Sequence, residues 1–195
     1  MEGKAPEKKT LIEKILEREL RMFQGVRSAV RASCQDDPER FALMRGAQFS
    51  AWSEKTLGSY LDDLAAAESE GRNLMTLKYA RMDDLIPPLT ESPLVESIAD
   101  EMCAWQRELA GVYPALLGRG RRLSGDEAGE PDTSFYRYIT GELETYSEQT
   151  LQYLWDDVSD FKLGGRNMSE AITLAMVRGL GYATLAEAED AQRRR

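Results

Sequence analysis

The sequence contains no histidine. That absence removes the commonest general base, every Ser-His or Cys-His catalytic pair and the commonest metal ligand. There are only two cysteines, Cys34 and Cys103, far apart and without a CxxC motif, so a zinc site is not expected. Both read as reduced, buried side chains. Basic residues are outnumbered: 25 Lys and Arg against 34 Asp and Glu give a net charge of -9. An acidic surface repels phosphate backbones, so a nucleic-acid partner is not expected. Apolar runs are only a few residues long, which excludes a membrane-spanning helix. The charged start Met1-Glu2-Gly3-Lys4 leads into no apolar stretch, so a secretory leader is not expected.

What remains is helical patterning. Thr10-Leu11-Ile12-Glu13 has the form of a capping box, and Leu11, Ile15, Leu20, Phe23, Val26 and Val30 follow at helical spacing toward Cys34. Asp37-Pro38-Glu39 supplies an N-cap, a proline at the first helical position and an acid in the first turn. One long helix is expected over Phe41–Glu68 and a third from Asn73 to about Ile86, stopped by Pro87-Pro88. Ser92-Pro93 starts a fourth, running to about Leu117. Residues 118–132, rich in glycine and arginine, read as a solvated loop, with phosphate binding by its arginines the sharper alternative. Helices resume near Thr133 and again at Asn167. No strand is expected, so the fold class is all-α.

An internal repeat organises the pattern. At an offset of 94, residues 53–82 and 147–176 share ten identities in thirty, where average usage gives about two. Ser53-Glu54, Asp62-Asp63 and Gly71-Arg72-Asn73 fall on Ser147-Glu148, Asp156-Asp157 and Gly165-Arg166-Asn167. Upstream the offset is 83, aligning Leu11–Ile15 with Leu94–Ile98. The expected architecture is a helical bundle of two pseudo-twofold three-helix repeats, 10–87 and 93–181, in one compact domain. A charged, frayed segment over 1–9 precedes them, and a tail or short helix over 182–195 follows.

Asp63 with Arg72, and Asp157 with Arg166, are expected to form ion pairs that pin the shared turn. Residues present in only one copy are the better functional candidates. Lys78 and Arg81 share a helix face, and an antiparallel partner would set them near Trp52 and Gln48. Together with Arg72, Tyr79 and the helix start at Asn73, these form a candidate site for a small anionic ligand. Glu142, Glu144 and Glu148, with Tyr138 and Tyr146, read as a solvated acidic face; no metal site is assigned.

Tyr60-Leu-Asp-Asp-Leu64, Gly71-Arg-Asn-Leu74 and Lys78-Tyr-Ala-Arg-Met82 resemble an uncharacterised bacterial domain-of-unknown-function family of about 200 residues. The resemblance is strongest over about 15–90. It implies a bacterial intracellular protein and supplies no reaction or cofactor. The reading is thus a soluble cytoplasmic binding module for a small anionic ligand or a protein partner, including a second copy of itself. The alternative is a histidine-free enzyme using carboxylates and Lys/Tyr, with or without a divalent metal.

Overall fold

The computed structural model describes residues 7–26, 36–118, 120–123 and 134–194. Cys34, most of 1–9 and most of the loop at 118–132 lie outside the described residues. Ten helices occupy the rest: α1 Lys8–Gln24, α2 Pro38–Ser50, α3 Glu54–Ser69, α4 Leu74–Met82, α5 Pro93–Val112, α6 Pro114–Leu117, α7 Phe135–Leu143, α8 Glu148–Leu163, α9 Met168–Gly179 and α10 Leu185–Arg193. No strand occurs among the described residues.

Capping side chains set most of the helix starts. Asp37, Ser53, Asn73, Ser134, Ser147 and Asn167 each accept a hydrogen bond from the amide three residues on. The start of α1 differs from expectation. It begins two residues before Thr10, behind Glu7, and no side chain caps it. The single helix expected over 41–68 is broken at Ala51–Ser53. Ser53 caps a new helix, and its own amide leaves the helical ladder to donate to Asp157 across the molecule. The helix expected to reach Ile86 ends at Met82. Asp84 takes a left-handed conformation (φ 53°), and Leu85 N–H then bonds back to the Ala80 carbonyl.

The same left-handed closure ends α3 at Gly71 (φ 68°) and α8 at Gly165 (φ 62°), where Arg72 and Arg166 N–H reach the Ala67 and Phe161 carbonyls. This explains the Gly-Arg-Asn motif locally. Glycine supplies the positive φ, and asparagine caps the next helix. The asparagine amide also ties in a third helix: Asn73 Nδ2 donates to Met22 O at 2.8 Å, and Asn167 Nδ2 to Trp105 O at 3.1 Å.

α1 packs on α2, α3 and α4, and α5 packs on α7, α8 and α9. Three further pairs join these groups: α3 with α8, α2 with α9, and α4 with α7. The main core runs through them, centred on Ile15, Phe49, Leu57, Leu64, Ile98 and Leu151, all essentially inaccessible. α10 docks on α6 and α9 through Leu185 and Ala188, and Glu189 accepts from the Ala115 and Leu116 amides at the start of α6.

Candidate functional site

A cavity of about 290 Å³ opens between α2, α5, α7, α8 and α9. Its walls are mostly apolar: Met102 from α5, Ile139 from α7, Leu154 from α8, Met168 and Ile172 from α9, and Trp52 from the α2–α3 joint. Gln48, Gln106, Tyr138, Glu142 and Tyr146 supply most of its polar portion, with Ser169 and Thr173 beside them. Met44, Leu116, Gly120 and Met176 line both this cavity and an outer groove, and so mark its connection to solvent. The volume sits at the small end of the range for ligand sites.

Behind the polar portion lies a buried network of charges. Arg45 on α2 donates from Nε to Glu19 Oε2 at 2.8 Å, and from Nη1 to the two oxygens of Glu142 at 2.9 and 3.0 Å. Lys78 on α4 also donates to Glu142. Tyr60 donates to Glu19 and Tyr146 to Glu142, both at 2.6 Å, and Gln48 donates to Glu142 at 2.9 Å while accepting from Arg45 at 2.8 Å. Glu19, Arg45, Lys78 and Glu142 are at most 5% exposed, so all four charges are out of water. Two acids meet two bases, and among the described residues every charge in the set has an opposite partner.

Burial opposes the charge on Glu142, but the Arg45 and Lys78 cations outweigh it and hold the carboxyl well below the usual range. The same balance raises Arg45 and Lys78: burial lowers them, and the facing carboxylates more than compensate. Tyr60 and Tyr146 are pushed well above the usual phenol value, by burial first and then by Glu19 and Glu142. Lys78 Nζ also lies 3.6 Å from the centre of the Tyr138 ring.

The expected anion site is not assembled as drawn. Gln48 and Trp52 do come together on the cavity wall. Lys78 is engaged by Glu142, and Arg81 by Glu144, with a further bond from Arg81 Nη1 to Ile86 O at 2.9 Å. Arg72 is half exposed and pairs with Glu70. Asn73 is a helix cap, and Tyr79 stacks on Phe23 at 6.0 Å. The reason is that α4 packs against α1 and α7. Its cations therefore meet the acids at the end of α7.

The two proposed ion pairs are also corrected. Asp63 accepts from Ser147 N at 3.0 Å and Thr150 Oγ1 at 2.7 Å, and Asp157 from Ser53 N at 2.8 Å and Thr56 Oγ1 at 2.6 Å. Arg166 lies instead over the Phe161 ring, 4.3 Å from its centre. Each aspartate thus caps a helix in the other half of the chain. The acidic face expected at 142–148 is solvated only at Glu148. Glu142 is buried, and Glu144 is largely covered by Arg81.

Residues 9–190 match the family described as Protein of unknown function (DUF4125). The chain belongs to that family. No curated protein and no solved structure matches it. The DUF4125 match runs from the first turn of α1 into α10, so it covers both the charge network and the cavity. Among the described residues, no helix is long and apolar enough to cross a membrane, and no group of three or more Cys, Asp or Glu is placed to hold a metal ion. Cys103 is buried and unbridged, and burial raises its thiol.

The sequence reading missed Glu19, Arg45 and Tyr60. Glu19 had a signal: it continues the apolar series Leu11, Ile15 toward Phe23 at four-residue spacing, and a charge there falls on the buried face. Arg45 follows Phe41 in the same way.

Proposed function

We propose that this protein binds a small, largely apolar molecule in the cavity beside α9, and that the cavity is the opened counterpart of a filled core in a duplicated helical unit. The supporting observation for binding is the cavity itself, with apolar walls, a small polar portion and a link to solvent.

Reciprocal contacts support the duplication. Asp63 and Asp157 each cap the other half at equivalent serines and threonines. Asn73 and Asn167 each tie a helix end to α1 and α5 respectively. Gln48 hydrogen-bonds Glu142, and Trp52 meets Tyr146 at 5.9 Å; each pair is 94 positions apart. A residue touches its own mate only near a twofold axis.

The two halves differ where the cavity lies. Four first-half members of the charge network, Glu19, Arg45, Tyr60 and Lys78, correspond to Met102, Ile139, Leu154 and Ile172. All four of these line the cavity. Size differs most at other positions: Phe23, Phe49 and Tyr79 stand where the second half has the smaller Gln106, Leu143 and Thr173, again cavity residues. One half gives up packing volume that the other retains, and unfilled core volume costs stability unless something occupies it.

Quenching of tryptophan fluorescence by naphthalene tests the reading, since Trp52 forms part of the wall. Saturable binding is expected in the wild type and its loss in Ile172→Trp, with Met102→Phe as a milder second filling variant. Equal binding in all three proteins would refute the site.

A further inference from the structure

The geometry points to an uncharged occupant: we infer that the ligand is a neutral molecule of about ten to twelve non-hydrogen atoms, apolar except for one hydroxyl or carbonyl-type group. This rests on the cavity reading above and specifies its ligand class.

Size comes from volume. A dry apolar cavity of about 150 Å³ holds benzene; this one is about 290 Å³.

Charge comes from the network behind the wall. The charged side chain lining the cavity is Glu142, a carboxylate, which disfavours an anionic head. The cations that neutralise it, Arg45 and Lys78, are themselves engaged and do not line the cavity. An ammonium head fares no better. Both Glu142 oxygens already accept hydrogen bonds, from Arg45, Lys78, Gln48 and Tyr146. A charged head would lose its hydration with no opposite charge left to replace it. Arg121 lies over the Tyr138 ring but is exposed and outside the cavity lining.

A neutral polar group is better served. Among the described residues, no group hydrogen-bonds the Tyr138 hydroxyl or the Gln106 side-chain amide, and both residues line the cavity. Gln48 uses one amide hydrogen on Glu142 and retains the second. These groups donate and accept without net charge, as a hydroxyl or carbonyl requires. Thr173 and Ser169 are already engaged with backbone carbonyls.

A matched series on the full chain tests this: 1-nonanol, nonanoate and nonylammonium at neutral pH, each titrated against tryptophan fluorescence, with naphthalene as the headless control. Nonanol is expected to bind at least tenfold more tightly than either ion. Tyr138→Phe/Gln106→Leu is expected to weaken nonanol severalfold more than it weakens naphthalene. If naphthalene binds but either ion matches or exceeds nonanol, or none of the three binds, the inference is overturned and the cavity reading stands. If naphthalene itself does not bind, the cavity reading fails and this inference with it. Circular dichroism of each variant separates loss of the site from loss of fold.

Discussion

Glu142 takes hydrogen bonds from Arg45, Lys78, Gln48 and Tyr146 while less than 5% exposed. Removing its charge leaves two buried cations facing one carboxylate, Glu19. Glu142→Gln should therefore cost about 3–5 kcal/mol in urea unfolding, the range for breaking one partner of a buried pair. Arg72→Ala, at an exposed pair, should cost less than about 1 kcal/mol. Comparable losses in the two would contradict the assignment. The same groups set a pH profile. Because the folded value of Glu142 is depressed, its contribution is present above about pH 4.3, the ordinary glutamate value, and is lost as pH falls below it. Because Tyr60 and Tyr146 are raised, their contribution is present below about pH 10 and is lost as pH rises beyond. With no histidine to titrate between, the melting temperature should be flat from about pH 5 to 8 and fall on both sides, the alkaline fall starting near the ordinary thiol value of about 8.5 because burial raises Cys103. A transition centred near neutrality in a thermal scan series would contradict this.

At the scale of elements, the shared motif positions carry helix ends. Gly71→Ala and Gly165→Ala place a Cβ at positive φ and should each cost about 1–2 kcal/mol. Asn73→Ala loses both a cap and a bond to the end of α1, so it should cost more than Arg72→Ala in the same denaturation assay. If Arg72→Ala proved the costlier, the arginine and not the asparagine would hold the turn. Most helix starts were legible in the sequence because Asp, Ser and Asn caps are local signals. The break at Ser53 was visible only as a Ser-Glu pair inside an apolar pattern. What decides it is Asp157, about a hundred residues away, accepting the Ser53 amide. The charge network was hidden for the same reason. Lys78 and Glu142 are unremarkable alone, and only the docking of α4 on α7 sets them together.

For the whole molecule, the proposed duplication sets similar contacts around unlike interiors. On that reading the first half contributes Phe49, Tyr60 and Arg45 to the filled part of the shared core, while Met102, Ile139 and Ile172 of the second border the cavity. The sequence comparison at an offset of 94 contained these differences. However, a change such as Lys78 to Ile172 reads first as a cation gained, and only the structure reveals a buried charge partner at one position and an apolar cavity wall at the other. Attention to extra charge thus led to Lys78 and Arg81, which Glu142 and Glu144 engage.

Xenon-pressurised crystals offer the most direct test, because xenon enters dry apolar cavities without regard to head-group chemistry. Xenon density is expected between Met102, Ile139 and Ile172, with none at the corresponding Glu19, Arg45 and Lys78. An empty second half, or equal occupancy of both, would contradict a core opened on one side for a ligand.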